Sequence, residues 1–313
     1  MRSAAAVSSR TAVHPSGERL RMTYDADVPS PLVGTMPTLP SPERCQAIAY
    51  RLACYDFPWD VTRSLELALF RTFASPTIAG VLHATGEFER RAQRRYDDTD
   101  LILATIVENG FDSDLGRRGI ARMNAIHGRF RIANEDFLYV LSTFTFEPLR
   151  WLDRFGWRAL TDEERWGWFA FWREVGKRMH IRDIPEDLSA FEQFNRDYEA
   201  ACFARTEVGR AVGLAARDIF AGWFAPPARP LVRAAISGLL DERVRQSFGF
   251  PASRVVGRLT SAALRLRALA VRLLPKRRRP LLRTALAHRS YPNGWRLDEL
   301  GPPRTKLKPG VDQ

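Results

Sequence analysis

Cysteine is scarce in this 313-residue sequence: Cys45, Cys54 and Cys202 are widely spaced and form no Cys-x-x-Cys pair. An odd, scattered set favours neither a disulfide framework nor a thiolate zinc site, and it fits a reducing, cytoplasmic compartment. Long apolar runs are also missing. No stretch of about 18 uncharged apolar residues occurs, and Met1-Arg-Ser-Ala-Ala-Ala-Val lacks a secretion-signal core, so the expected location is cytoplasmic, with peripheral membrane attachment as the variant. Without a His-x-x-x-His or His-Glu-x-x-His pair a zinc hydrolase has no ligand set. The Gly-x-Ser-x-Gly elbow, the Walker A loop and the dinucleotide glycine fingerprint are absent too. Alternating Val/Ile/Thr strands closed by Asn-Gly or Asp-Gly turns are scarce; Asn109-Gly110 runs into Phe-Asp-Ser-Asp, which reads as a loop.

Helical punctuation is abundant, on a chain whose 45% apolar content can fill a substantial core. Ser41-Pro-Glu-Arg is a helix start, with serine as N-cap and proline in the first turn. Thr161-Asp-Glu-Glu164 and Ser189-Ala-Phe-Glu192 have the form of capping boxes. The fold class is therefore all-α: one globular domain of about ten helices over residues 41–300. Residues 1–40, with Pro15, Pro29, Pro31, Pro37 and Pro40 among Ser, Thr and Gly, read as an irregular arm, and 301–313 as a flexible tail. No internal repeat of 20–50 residues suggests a solenoid.

The net charge of +12 is concentrated. Residues 243–297 hold fourteen Arg and Lys and no Asp or Glu, so the rest of the chain is nearly neutral. Within that region Val255, Leu259, Leu264, Leu266, Leu269, Leu273 and Leu274 alternate with arginines at helical spacing, which predicts a basic amphipathic helical segment at 254–289, interrupted at Pro275. Three readings are open: a solvated outer face, a surface on anionic lipid, or a phosphate-binding patch. Nucleic acid is disfavoured, because no aromatic residue lies between Phe250 and Tyr291 to stack a base.

Trp166, Trp168, Phe169, Phe171 and Trp172 crowd one helix, with Gly176 permitting close helix approach. They read as core, or as part of the wall of an apolar pocket. His127 closes Arg122-Met-Asn-Ala-Ile-His127, beside the apolar stripe Ile120, Met123, Ile126 and Phe130. At helical spacing Asn124 and Arg131 share its face, and Arg95 and Thr99 form a second i, i+4 pair of cation and hydroxyl. A haem iron needs one neutral imidazole and, opposite, a polar open side, so these residues are a candidate haem site; a packed structural histidine is the plain alternative. His83 is a competitor, whereas His14, His180 and His288 read as structural or incidental.

Beyond these residues, Trp151-Leu-Asp-Arg-Phe-Gly, Leu160-Thr-Asp-Glu-Glu, Phe171-Trp-Arg-Glu-Val-Gly-Lys-Arg-Met, Ile181-Arg-Asp-Ile-Pro and Phe194-Asn-Arg-Asp-Tyr occur in order. Together with Arg95-x-x-x-Thr99 and His127-x-x-x-Arg131 they resemble, over roughly residues 55–300, the oxygenase family that includes the fungal MpaB enzymes and the catalytic domain of rubber oxygenases. The resemblance implies an all-α domain holding haem b, with His127 as iron ligand. It implies that Arg95 and Thr99 lie near the haem or bound O2, that Arg131 neighbours the ligand helix, and that an apolar unsaturated, isoprenoid-like substrate is cleaved at C=C with O2.

Departures from the family are specific. Rubber oxygenases carry lysine where this chain has Asp98, and arginine where it has Asn124; their proposed glutamate base has no counterpart, Glu87 and Glu89 being at other spacings. The expectation is thus a haem-dependent oxygenase with His127 as metal ligand, Asn124 and Arg131 beside the cofactor, and Arg95 and Thr99 acting on oxygen. The alternatives are a non-catalytic haem- or lipid-binding helical protein and, more weakly, a nucleic-acid- or membrane-surface module.

Overall fold

In the computed structural model, residues 39–302 apart from Ala252 are described, and they lie within one compact unit. The arm expected over 1–40, all but its last two residues, and the tail from 303 onward lie outside the described residues, as does His14. Thirteen α-helices and no named strand occur among the described residues, as an all-α reading requires.

α1 (Pro42–Arg51) starts where Ser41 Oγ accepts from Arg44 N at 3.3 Å. It passes through a π-helical turn at Leu52–Asp56 into α2 (Pro58–Thr72), then α3 (Pro76–Thr85) and the single turn α4 (Glu87–Arg90). α5 (Ala92–Asn109) and α6 (Asp114–His127) form a hairpin, followed by α7 (Asn134–Phe155), α8 (Asp162–Arg178) and α9 (Leu188–Cys202). α10 (Glu207–Gly222), α11 (Arg229–Leu239), α12 (Glu242–Phe248) and α13 (Arg254–Leu273) complete the order. α7 is central, packing on α2, α8 and α9, and it buries Tyr139, Phe146, Leu149, Leu152 and Phe155. Two glycines of α8 make room for neighbours: a Cβ at Gly167 would strike Ile48 of α1, and one at Gly176 would strike Leu141 of α7.

The capping box at Thr161 forms as read, Glu164 N donating to Thr161 Oγ1 at 3.2 Å and Thr161 N to Glu164 Oε2 at 2.9 Å. The second box does not form. Asp187 is the N-cap of α9, accepting from Ser189 N and Ala190 N, and Glu192 is paired with Arg150 instead. The helix expected over 254–289 ends at Leu273; the described chain after Pro275 is loop with two 3-10 turns, Arg283–Ala285 and Leu297–Glu299, because proline supplies no amide hydrogen and fixes its φ.

A buried ion network ties four helices together. Arg71 of α2 donates to Glu199 of α9 at 2.8 Å, lies 3.4 Å from Glu147 of α7 and pairs closely with Asp241, the N-cap of α12. Arg150 reaches Glu147 at 2.8 Å and Asn195 at 3.0 Å, and the Tyr139 hydroxyl donates to Glu199 at 3.1 Å. Every carboxylate in this group has a cation or donor.

Candidate active site

The hairpin of α5 and α6 brings His127 and Arg95 together. Gly119 allows the close packing, since a Cβ there would stand 3.0 Å from Ile106 Cγ1. The two helices run antiparallel from that contact, so the eight residues from Gly119 to His127 match a similar stretch back along α5, to the turn holding Arg95 and Asp98. Ser113 Oγ caps α6 by accepting from Gly116 N at 2.9 Å, and the helix stops at His127, with Gly128 as its C-cap.

His127 is mostly buried and meets Phe137 edge-on, ring centroids 5.3 Å apart. Its Nδ1 is buried without a hydrogen-bond partner. Burial, helped by the positive charge of Arg95, pushes its pKa down to about 4, so the ring is neutral at neutral pH. Arg95 donates to the Thr99 hydroxyl, which in turn donates to the Arg95 carbonyl at 3.0 Å. Burial lowers the Arg95 pKa as well, with Asp98 and Glu87 opposing that shift.

Thr99 has a second neighbour, a cavity of about 60 Å³ between α2, α5 and α7. Leu65, Leu69, Leu103, Val107 and Phe144 make it apolar, while Glu66, Tyr96, Asp100 and Glu108 give it a polar rim. Glu66 is the least expected of these. Burial lifts its pKa to about 7, although the Arg63 guanidinium at 2.7 Å and the Tyr96 hydroxyl at 2.6 Å both favour its charged form. Sequence reasoning passed over it; the signal was a lone carboxylate inside the apolar run Leu65-Glu-Leu-Ala-Leu-Phe70.

The other acids of α5 hold the chain's C-terminal segment. Asp98 is buried and accepts from the Tyr291 hydroxyl, Asp97 accepts from Ser290 N at 2.9 Å, and Glu108 accepts from Thr284 N at 3.1 Å. Asp100 pairs with Arg283 and stands 3.1 Å from His288 Nε2, so His288 is a buried clamp residue. Burial raises the Asp98 pKa against the pull of Tyr291.

Three expectations are corrected by this geometry. Arg131 lies beyond the C-cap and is exposed, so it does not share the His127 face. Asn124 does not turn to the imidazole; its amide donates to the Arg178 carbonyl at 3.0 Å, where it satisfies the end of α8. The Trp166–Trp172 cluster does not wall the cavity: it is core, and Trp172 packs behind Phe144 with ring centroids 5.4 Å apart. His83 is exposed in the last turn of α3. A larger concavity of about 570 Å³ on another side of α6 includes Arg122 and Arg129, but these donate to the Leu300 and Pro302 carbonyls, and His127 does not line it.

Residues 63–274, which contain Arg95, Thr99, His127 and the cavity-lining Leu65, Glu66 and Leu69 of α2, match the family described as ER-bound oxygenase mpaB/B'/rubber oxygenase, catalytic domain. The chain belongs to this family. Among relatives, the ER-bound oxygenase mpaB' of Penicillium brevicompactum is 27% identical over 228 residues, covering 67% of this chain and 54% of that protein. The ER-bound oxygenase mpaB of the same fungus is 30% identical over 176 residues, covering 50% and 45%. The mpaB of Penicillium roqueforti is 32% identical over 157 residues, covering 48% and 53%. The chain thus spans about half the length of the curated relatives it matches. Their naming as ER-bound overturns the cytoplasmic location expected from cysteine usage. No single described helix is long and apolar enough to cross a membrane; the bent pair α2 and α3 passes on length and composition together, with a 98° angle between them.

Proposed function

We propose that this mpaB/rubber-oxygenase family chain is a haem-dependent oxygenase that uses O2 on an apolar, unsaturated substrate, with oxidative C=C cleavage as the reaction. The observation that carries the haem assignment is the imidazole of His127: neutral, desolvated, and with a buried ring nitrogen that no protein group satisfies. Such an atom costs free energy unless something bonds the ring. The donor chemistry fits, since a haem iron takes a neutral imidazole, and among the described residues Arg95 is a cation that donates to a hydroxyl, not to a carboxylate. What this chain supplies toward haem is that donor set. The 60 Å³ cavity is room for a few waters or a dioxygen, not for a tetrapyrrole.

When bound, a haem supplies the redox chemistry that activates O2. The protein's own part comes from its residues. His127 would hold the iron. Arg95, fixed by Thr99, holds a positive charge near the imidazole that keeps the ring neutral, and it would favour negative charge developing on O2. The leucines and Phe144 make one wall of the small cavity beside Thr99 apolar, which suits dioxygen. Glu66 has a pKa near neutrality, from which a carboxyl can both take and return a proton at Oε1, within reach of the Tyr96 hydroxyl.

The test is spectroscopic and then chemical. Purified chain supplied with haem should show a Soret band that His127→Ala lacks; a spectrum with only the 280 nm protein band would sink the haem assignment. Oxygen consumption with an isoprenoid alkene, and carbonyl-ended products, would then separate an oxygenase from a haem carrier.

A further inference from the structure

α13 meets the protein with one face and leaves another bare. On the inner face Ala268 is buried, and Arg267 donates to the buried carboxylate of Asp60 at 2.9 Å while lying 3.8 Å over the Trp59 ring. Gly257 lies against Gly238 of α11 with no room for a Cβ at the latter. The outer face carries Val255, Leu259, Ala262, Leu266, Leu269 and Leu273, spaced four and three in strict alternation, so all six fall on one stripe. The five large ones are 58–86% exposed, on a helix of 20 residues and therefore about 30 Å long. Along one edge of the stripe Arg258, Arg265 and Arg272 recur every seven residues, and none is within ion-pairing distance of a carboxylate among the described residues. Lys276 to Arg279 extend the exposed charge beyond the helix.

We propose that this face of α13 docks on an anionic lipid bilayer, the leucines entering the headgroup boundary and the arginine row meeting lipid phosphates. Charge decides the occupant. The four-three spacing also suits a helical seam with a second copy of the chain, but a seam needs carboxylates opposite the arginines, and residues 243–297 contain none. The other flank of the stripe is Ala263 and Ala270, so a partner α13 would offer arginine or alanine to each arginine. Phosphate is the complement this edge lacks, and guanidinium binds it bidentately. Exposed leucines beside a basic edge are how an interfacial helix divides its two tasks.

The experiment is flotation of the full chain with extruded vesicles of phosphatidylcholine alone or mixed with phosphatidylserine. Binding is expected only with the anionic mixture and should weaken as salt rises. Each arginine near such a surface is worth roughly fivefold in partitioning, so Arg258→Glu/Arg265→Glu should lower binding at least tenfold. Leu266→Asp/Leu269→Asp, which changes exposed side chains only, should do the same with circular dichroism and Tm unchanged. Absence of binding to anionic vesicles, equal binding to neutral ones, or indifference to both variants would each overturn the proposal. So would a wild-type dimer that the leucine variant makes monomeric without any vesicle binding.

Discussion

Two buried polar regions of this protein are built on opposite terms. At the junction of α2, α7, α9 and α12, Arg71 and Arg150 are matched by Glu147, Glu199, Glu192 and Asp241, and tyrosine and asparagine side chains take up remaining positions. At the end of α6, His127 keeps a buried nitrogen without a partner and faces the charge of Arg95. The first region is complete without any other molecule. The second is complete only when something bonds the imidazole. On the proposed function, the paired region fixes helix positions and the unpaired imidazole nitrogen is satisfied when the ring is bonded to iron.

Replacing each centre should separate the two. His127→Ala is expected to abolish haem uptake, an all-or-none change in the Soret band, while the haem-free chain loses at most about 1–2 kcal/mol for the ring removed. Arg71→Met should do the reverse. It leaves the buried Glu199 with only the Tyr139 hydroxyl, while Glu147 keeps Arg150 and Asp241 is exposed, a cost of about 3–5 kcal/mol in urea unfolding, and any chain still folded should bind haem as before. If Arg71→Met removed haem while leaving stability untouched, the division between the regions would be wrong.

Proton linkage sharpens the contrast inside the candidate site, because His127 and Glu66 respond to pH with opposite sign. The folded pKa of His127, about 4, lies below its ordinary 6.5, so its stability contribution is full above 6.5 and is lost as pH falls toward 4. Glu66 is raised from 4.5 to about 7, so the folded chain favours its protonated form and loses stability as pH rises across that window. Glu66→Gln should therefore raise stability near pH 7.5 relative to pH 4.5, with a swing of roughly 3 kcal/mol, since one pKa unit is about 1.4 kcal/mol. Urea midpoints of the haem-free chain between pH 4.5 and 7.5 check this; an unchanged pH slope in Glu66→Gln would show that burial does not hold that proton.

How much of the fold and the site was legible in the sequence depended on how local each signal was. Ser41 and the Thr161–Glu164 box act within one turn, and both formed as read. Gly176 was readable because an aromatic-rich helix with one glycine has to approach something there. The Ser189–Glu192 box failed because Asp187, two residues earlier, competes for the same amides, and Arg150, 42 residues away, takes the glutamate. Asp98 looked like a substitution in the oxygen-binding motif; only the return of Tyr291, 193 residues on, shows it as part of a clamp. The cavity was out of reach for the same reason, because Glu66, Thr99, Glu108 and Arg283 converge from three distant stretches of chain.

The smallest expected effect tests a residue that helical spacing alone would set beside His127. Arg131 sits four positions after the histidine, but Gly128 ends the helix between them, and the arginine is exposed with no hydrogen bond to the imidazole. Exposed charges of this kind contribute within about 0.5 kcal/mol. Arg131→Ala should accordingly leave Tm, the Soret band and the oxygen-uptake rate near those of the parent, whereas Arg95→Ala, four residues from Thr99 and charged against the same ring, should shift the Soret position and slow oxygen uptake. A loss of haem in Arg131→Ala equal to that in Arg95→Ala would mean that the turn after α6 refolds around the cofactor and carries the arginine inward.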